Sequence, residues 1–202
     1  MPTDDVLEPS EASTFYFDLG SPYAYLALER LRDFDFGEVQ LVPISLGALF
    51  KLTGRSSWAL GSRRELGMAD VQARADAYGL PRVAWPDGWP SNYLNANRAC
   101  LAADEQGALE AFAKAALRAA FADGADLSEV AAVLAVARSV GLDEDALRGR
   151  IAAPEIKERL RANTDTARAA GVVGVPTLML DGRAFWGDDQ LEIAAAAPRR
   201  VS

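Results

Sequence analysis

Apolar and polar positions change period along this chain, and the changes divide it into three blocks. The first block opens with Phe15-Tyr16-Phe17-Asp18-Leu19 and stops at Gly20, a short aromatic run that predicts a buried strand. Ser21-Pro22 then starts a helix, because Ser caps well and Pro at the first helical position forfeits no needed hydrogen bond. Ala24, Ala27, Leu28 and Leu31 follow at i, i+3, i+4 and i+7, with Glu29, Arg30, Arg32 and Asp33 on the other side. Gly37 closes this helical region, and Val39-Gln40-Leu41-Val42 predicts a second strand. Strand, helix and strand with short links make a βαβ unit whose strands run parallel.

The last block, from about position 172, has a different order. Thr177-Leu178-Met179-Leu180 predicts a strand, Asp181-Gly182 a two-residue hairpin, and Arg183-Ala184-Phe185-Trp186 the returning strand. Asp188-Asp189 should cap a helix carrying Leu191 and Ile193, with Asp189 and Glu192 spaced as a capping box. Between the two blocks the period is helical almost throughout. The expected helices cover 63–78, 92–106, 108–123, 128–140, 143–152 and 155–170, and the segment 81–90 with Trp85 and Trp89 is irregular. A βαβ unit, a helical insertion and a ββα unit together predict an α/β, thioredoxin-like fold with a large all-helical insertion domain. The expected division is a disordered tail over 1–13, a thioredoxin-like domain from 14–46 and 171–202, and a helical insertion over 47–170.

Composition narrows the chemistry. The chain has no His and one Cys, Cys100, among 202 residues. That excludes a Ser-His-Asp triad, a Cys-His pair, an intrachain disulfide, a Cys-x-x-Cys redox pair and His or thiolate metal cages. No metal is expected. The balance of 21 basic against 29 acidic residues gives a net charge of −8 and argues against a nucleic-acid partner. The most apolar stretch, 130–137, is far shorter than the ~20 residues of a membrane span, so no membrane partner is expected. The acidic, Pro-containing start has none of the features of an export signal, and the expected location is cytoplasmic.

In a thioredoxin-like fold the reactive group sits where the first strand hands over to the first helix, since helix N-terminal amides favour an anion such as a thiolate. Here Gly20-Ser21-Pro22-Tyr23 occupies that place, with Ser where a redox enzyme has Cys. Without a base Ser21 is a poor nucleophile, but its hydroxyl can donate to the sulfur of an external thiol. Raising the thiolate fraction a hundredfold requires ~2.7 kcal/mol. One charge-assisted hydrogen bond supplies ~1.5–3 kcal/mol and a helix terminus ~0.3–1 kcal/mol, so the sum suffices. By itself the Ser-Pro motif more often marks an N-cap and nothing more. Val175-Pro176, before the third strand, is the candidate cis bond facing this site, where the Val175 backbone can pair with a peptide-like ligand; a trans Pro at a strand start is the plain alternative. Asp188 and Asp189 offer carboxylates for a ligand ammonium group, or simply cap the last helix.

Taken in order, Phe-Tyr-Phe-Asp-Leu-Gly-Ser-Pro-Tyr-Ala-Tyr-Leu, Gly-Val-Val-Gly-Val-Pro-Thr and Phe-Trp-Gly-Asp-Asp-Gln-Leu-Glu resemble the 2-hydroxychromene-2-carboxylate isomerase family, relatives of DsbA and of kappa-class glutathione transferases. The resemblance covers roughly 15–49 and 171–193. It implies a glutathione-dependent isomerase (or one using another low-molecular-weight thiol) acting on a small aromatic or conjugated carbonyl compound by reversible thiolate addition. It also implies that Ser21 holds the sulfur, with Pro22 and Tyr23 beside it, that Val175 and Pro176 present backbone to the tripeptide, and that Asp188 and Asp189 contact its γ-glutamyl end. Where the family usually has Asn, this chain has Arg55, whose forked cation suits a carboxylate better than an amide. A kappa-like transferase and a non-catalytic thioredoxin-fold binding protein are the alternatives, and a homodimer is the family's implication for assembly.

Trp85 and Trp89, with Asn95 and Arg98, either line an aromatic substrate pocket opposite Ser21 or pack a loop onto a helix. Cys100 reads as a small buried residue of a helix.

Overall fold

The computed structural model describes residues 13–198. The expected tail therefore lies outside the described residues, except for Ser13, which opens the first strand. Four strands, β1 (Ser13–Phe17), β2 (Val39–Pro43), β3 (Thr177–Leu180) and β4 (Arg183–Trp186), form one sheet in the order β2-β1-β3-β4. β1 runs parallel to β2 and antiparallel to β3, and β3 runs antiparallel to β4. Phe15 pairs with Leu178, and Tyr16 with Thr177. The hairpin residues Asp181 and Gly182 have φ of 51° and 74°, the double positive-φ turn that an Asp-Gly pair favours.

Nine helices accompany the strands among the described residues. They are α1 (Pro22–Arg30), α2 (Leu46–Thr53), α3 (Arg64–Ala77), α4 (Leu94–Asp104), α5 (Leu109–Phe121), α6 (Val130–Ser139), α7 (Glu144–Ala152), α8 (Pro154–Ala169) and α9 (Leu191–Ala196). The pleat divides the core. Phe15, Phe17, Leu178 and Leu180 share one face with α1, α9 and the helical insertion, whereas Tyr16 and Met179 meet Ile44, Leu49 and Ala167 of α2 and α8 on the other.

The sequence expectation differs at three places. α1 is buried on nearly every side (Pro22, Ala24, Tyr25, Leu26, Ala27 and Leu28), because the sheet covers one face and α5 the other. It stops at Arg30, and Leu31–Asp33 continues as a 3-10 turn. α2 has no counterpart in the expected helices, although Ser45 caps its start and Gly54, at φ 67°, closes its end. The expected capping box at Asp189 and Glu192 is absent: the start of α9 carries no side-chain cap bond, Glu192 pairs with Arg30, and Asp189 pairs with Arg74 at 3.2 Å.

Candidate functional site

The end of β1 delivers a turn held by several hydrogen bonds. The Ser21 N–H donates to the Asp18 carbonyl at 3.0 Å, and the Ser21 hydroxyl oxygen accepts the Ala24 N–H at 3.3 Å, the cap that starts α1. The same hydroxyl donates to the Val175 carbonyl at 3.5 Å, long for an O–H bond and readily surrendered to a better acceptor. The Val175–Pro176 bond is cis, as expected from the sequence, and a second cis bond joins Trp89 to Pro90.

Ser21 and Val175 stand in the wall of a cavity of about 730 Å³. Its other walls come from the start of α1 (Pro22, Tyr23), from α2 and the segment after it (Phe50, Lys51, Arg55, Trp58), and from the approach to α4 (Trp89, Tyr93, Asn97). The Arg55 N–H donates to the Phe50 carbonyl at 3.0 Å in the turn that ends α2, and its guanidinium lies 4.9 Å from the Trp186 ring centroid. Trp186 in turn covers Gly174, where a Cβ would meet the indole Nε1 at 2.6 Å. Trp58 and Trp89, with centroids 5.5 Å apart and planes tilted by 52°, give the cavity an aromatic side.

The remaining candidates are placed elsewhere. Pro176 does not itself line the cavity. Asp188, 1% exposed, is held by Arg74 Nη1 at 3.1 Å and by the Tyr78 hydroxyl at 3.0 Å. Burial pushes its carboxyl upward against the pull of Arg74 and Tyr78, and the Tyr78 phenol rises to about 12 through burial and the same carboxylate. Arg74 thus engages both Asp188 and Asp189, and neither carboxylate reaches the cavity wall. Trp85 also stays outside, packed on Trp89 at 4.7 Å and on Phe121 at 6.1 Å. Asn95 and Arg98 bond to each other at 3.0 Å and do not line the cavity. Helical phase turns Asn95 away from the side shared by Tyr93 and Asn97, four apart, while Arg98 lies a turn beyond Leu94. The one substrate-pocket candidate the cavity retains is Trp89.

Lys51, Trp58 and two buried polar residues, Asp18 and Asn97, are cavity residues that escaped the sequence reading. Asp18 is buried, and its carboxylate accepts the Gly20 N–H at 2.8 Å, the Leu46 N–H at 2.7 Å and the Asn97 amide. Burial pushes its carboxyl up while those bonds draw it down. Asn97, 1% exposed, also accepts the Leu19 N–H at 2.9 Å. The signals were a carboxylate ending an apolar strand and an amide on a small-residue helix, both of which demand partners when buried. Cys100 is fully buried, and burial pushes its thiol well up, so it is a packing residue. Among the described residues no cluster of acidic or Cys side chains is suited to a metal ion, and no helix is long and apolar enough to cross a membrane.

Comparison with known proteins shows the family. Residues 14–197 match the DSBA-like thioredoxin domain. A 2-hydroxychromene-2-carboxylate isomerase of Pseudomonas sp. (strain C18) is 30% identical over 192 residues, covering 88% of this chain and 85% of its own. Human glutathione S-transferase kappa 1 is 25% identical over 198 residues, covering 89% and 87%. A solved 2-hydroxychromene-2-carboxylate isomerase superposes with a TM-score of 0.78 at 26% identity, covering 90% of this chain and 91% of that one. With no Cys pair at the helix start, a Ser21 hydroxyl in its place and these relatives along nearly the whole chain, the protein belongs to the DsbA-like thioredoxin-domain family and, within it, to the 2-hydroxychromene-2-carboxylate isomerases.

Proposed function

We propose that this protein is a thiol-dependent isomerase, using glutathione or a similar small thiol, for a small aromatic or conjugated carbonyl compound. The observation that carries the reading is the Ser21 hydroxyl, placed at the N-terminus of α1 in the wall of a partly aromatic cavity with only a 3.5 Å bond to the Val175 carbonyl to hold its proton. When bound, the thiol supplies a nucleophile that adds reversibly to a conjugated double bond and frees it to rotate. Ser21 turns its proton from Val175 toward the sulfur, and the first amides of α1 add the favourable end of the helix dipole. The Val175 backbone, on the cavity wall beside the cis bond, pairs with an extended peptide-like ligand. Arg55 and Lys51 supply the cationic side for carboxylates, and Trp58 and Trp89 the surface on which a planar substrate stacks. Asp188 and Asp189 have no part in this reading, because Arg74 holds both.

The human kappa relative favours a second reading, in which the thiol is conjugated to an electrophile and consumed. Calorimetric titration with reduced glutathione, repeated on Ser21→Ala, tests the first step common to both. Saturable binding that weakens at least tenfold in the variant, with the thiolate fraction of the bound thiol falling, is expected from one lost charge-assisted bond. Equal binding and equal thiolate fraction in the two proteins would reject the role of Ser21. Recovery of free thiol after turnover separates the isomerase from the transferase.

A further inference from the structure

Three groups of the helical insertion close on the turn that carries Ser21. The Trp89 indole N–H donates to the Gly20 carbonyl at 3.0 Å. The Tyr93 ring lies so close over Gly20 that a Cβ there would meet Cδ2 at 2.9 Å. Asn97 accepts the Leu19 N–H at 2.9 Å and gives its amide to Asp18, whose other carboxylate bonds fix the Gly20 and Leu46 N–H groups. The contacts of Trp89, Tyr93 and Asn97 fall on residues 18–20, one to three before the hydroxyl, and none falls on the hydroxyl itself.

We infer that Trp89, Asn97 and Asp18 are positioning residues that act through the Gly20 backbone to aim the Ser21 hydroxyl, so that the insertion domain sets the acidity of the bound thiol as well as walling the substrate cavity. This rests on the thiol-dependent reading of Ser21. A hydroxyl that donates across the mouth of a cavity is useful only if its direction is fixed, since hydrogen-bond strength falls steeply with angle. Ser21 reaches its acceptor at 3.5 Å, where a small rotation of the turn makes or loses the bond. Asn97 offers what an apolar residue cannot: an acceptor for the chain entering the turn and a donor for the carboxylate that holds the turn's next amide.

The test compares wild type with Asn97→Ala, Trp89→Phe and Leu134→Ala, the last a control in the core of α6 that loses stability without touching the turn. Two quantities are read: hydrogen exchange of the Leu19, Gly20 and Ser21 amides, and the pKa of bound glutathione from the ultraviolet absorbance of its thiolate. Asn97→Ala should speed exchange in the turn at least tenfold and raise the thiol pKa, Trp89→Phe should do both more weakly, and Leu134→Ala should do neither. Unchanged exchange and thiol pKa in the first two variants, or equal changes in Leu134→Ala, would overturn the inference. If wild type binds no thiol, the functional reading falls, while the exchange measurement still decides whether the insertion holds the turn. Trp89→Phe keeps an aromatic ring in place and guards against an Asn97 variant that fails to fold.

Discussion

Gly20 has no room for a side chain, because the Tyr93 ring occupies the space a Cβ would need. Gly20→Ala should therefore displace that ring and the turn together, lowering stability by ~1–3 kcal/mol and weakening thiol binding, as thermal unfolding and calorimetry would show. Ser21→Ala should differ in kind: it loses a cap worth ~1 kcal/mol and most of the thiol's activation, with the fold otherwise intact. At this scale the sequence was legible where a residue type has few uses. A Ser-Pro at a helix start and a Val-Pro before a strand pointed to Ser21 and Val175, and both line the cavity. Asp18 and Asn97 were not legible, because their importance lies in a meeting across 79 positions, which one sequence does not display. The pairing of Asp188 and Asp189 with Arg74 was equally hidden, since Arg74 lies over a hundred positions away.

Among the elements, long periodic helices and short apolar strands came through to within a few residues, since burial of one face dictates their pattern. α2 did not, being eight residues long and carrying Gly47 inside it. Elements far apart in the chain are also joined by charge. Arg32, in the 3-10 turn after α1, and Lys114 both pair with Glu110 of α5, and the Arg32 bond, with Lys114 aiding, draws the Glu110 carboxyl down to about 2. The ordinary glutamate value is ~4.3, so the folded value is depressed. The stabilisation it brings is present above the ordinary value and is lost as pH falls through about 2. Glu110→Gln should accordingly flatten the fall of unfolding free energy between pH ~4.3 and pH ~2 and lower stability near neutrality by the same amount, a small one because the pair is partly exposed, as urea titration would measure. An acid limb as steep in the variant as in wild type would show that other carboxylates govern it.

For the whole molecule, Arg74 of α3 is the counter-ion that lets Asp188 be buried beside α1 and α9, so it fastens the insertion to the ββα unit. Arg74→Met would leave that carboxylate unpaired, a loss toward the lower end of ~3–5 kcal/mol given that the Arg74 side chain is partly exposed. Adding Asp188→Asn should restore much of it, and a double variant no more stable than the single one would deny the pairing its role. The strand order has a consequence for how the chain is made. β1 lies between β2, which leaves the ribosome soon after it, and β3, which follows only after ~130 further residues. At roughly 5–20 residues per second, the inner edge of β1, with Phe15 and Phe17 beside it, waits on the order of ten seconds for its partner. During synthesis the helices of the insertion assemble first, and the nascent sheet depends on them, or on a chaperone, for cover until the last quarter of the chain arrives.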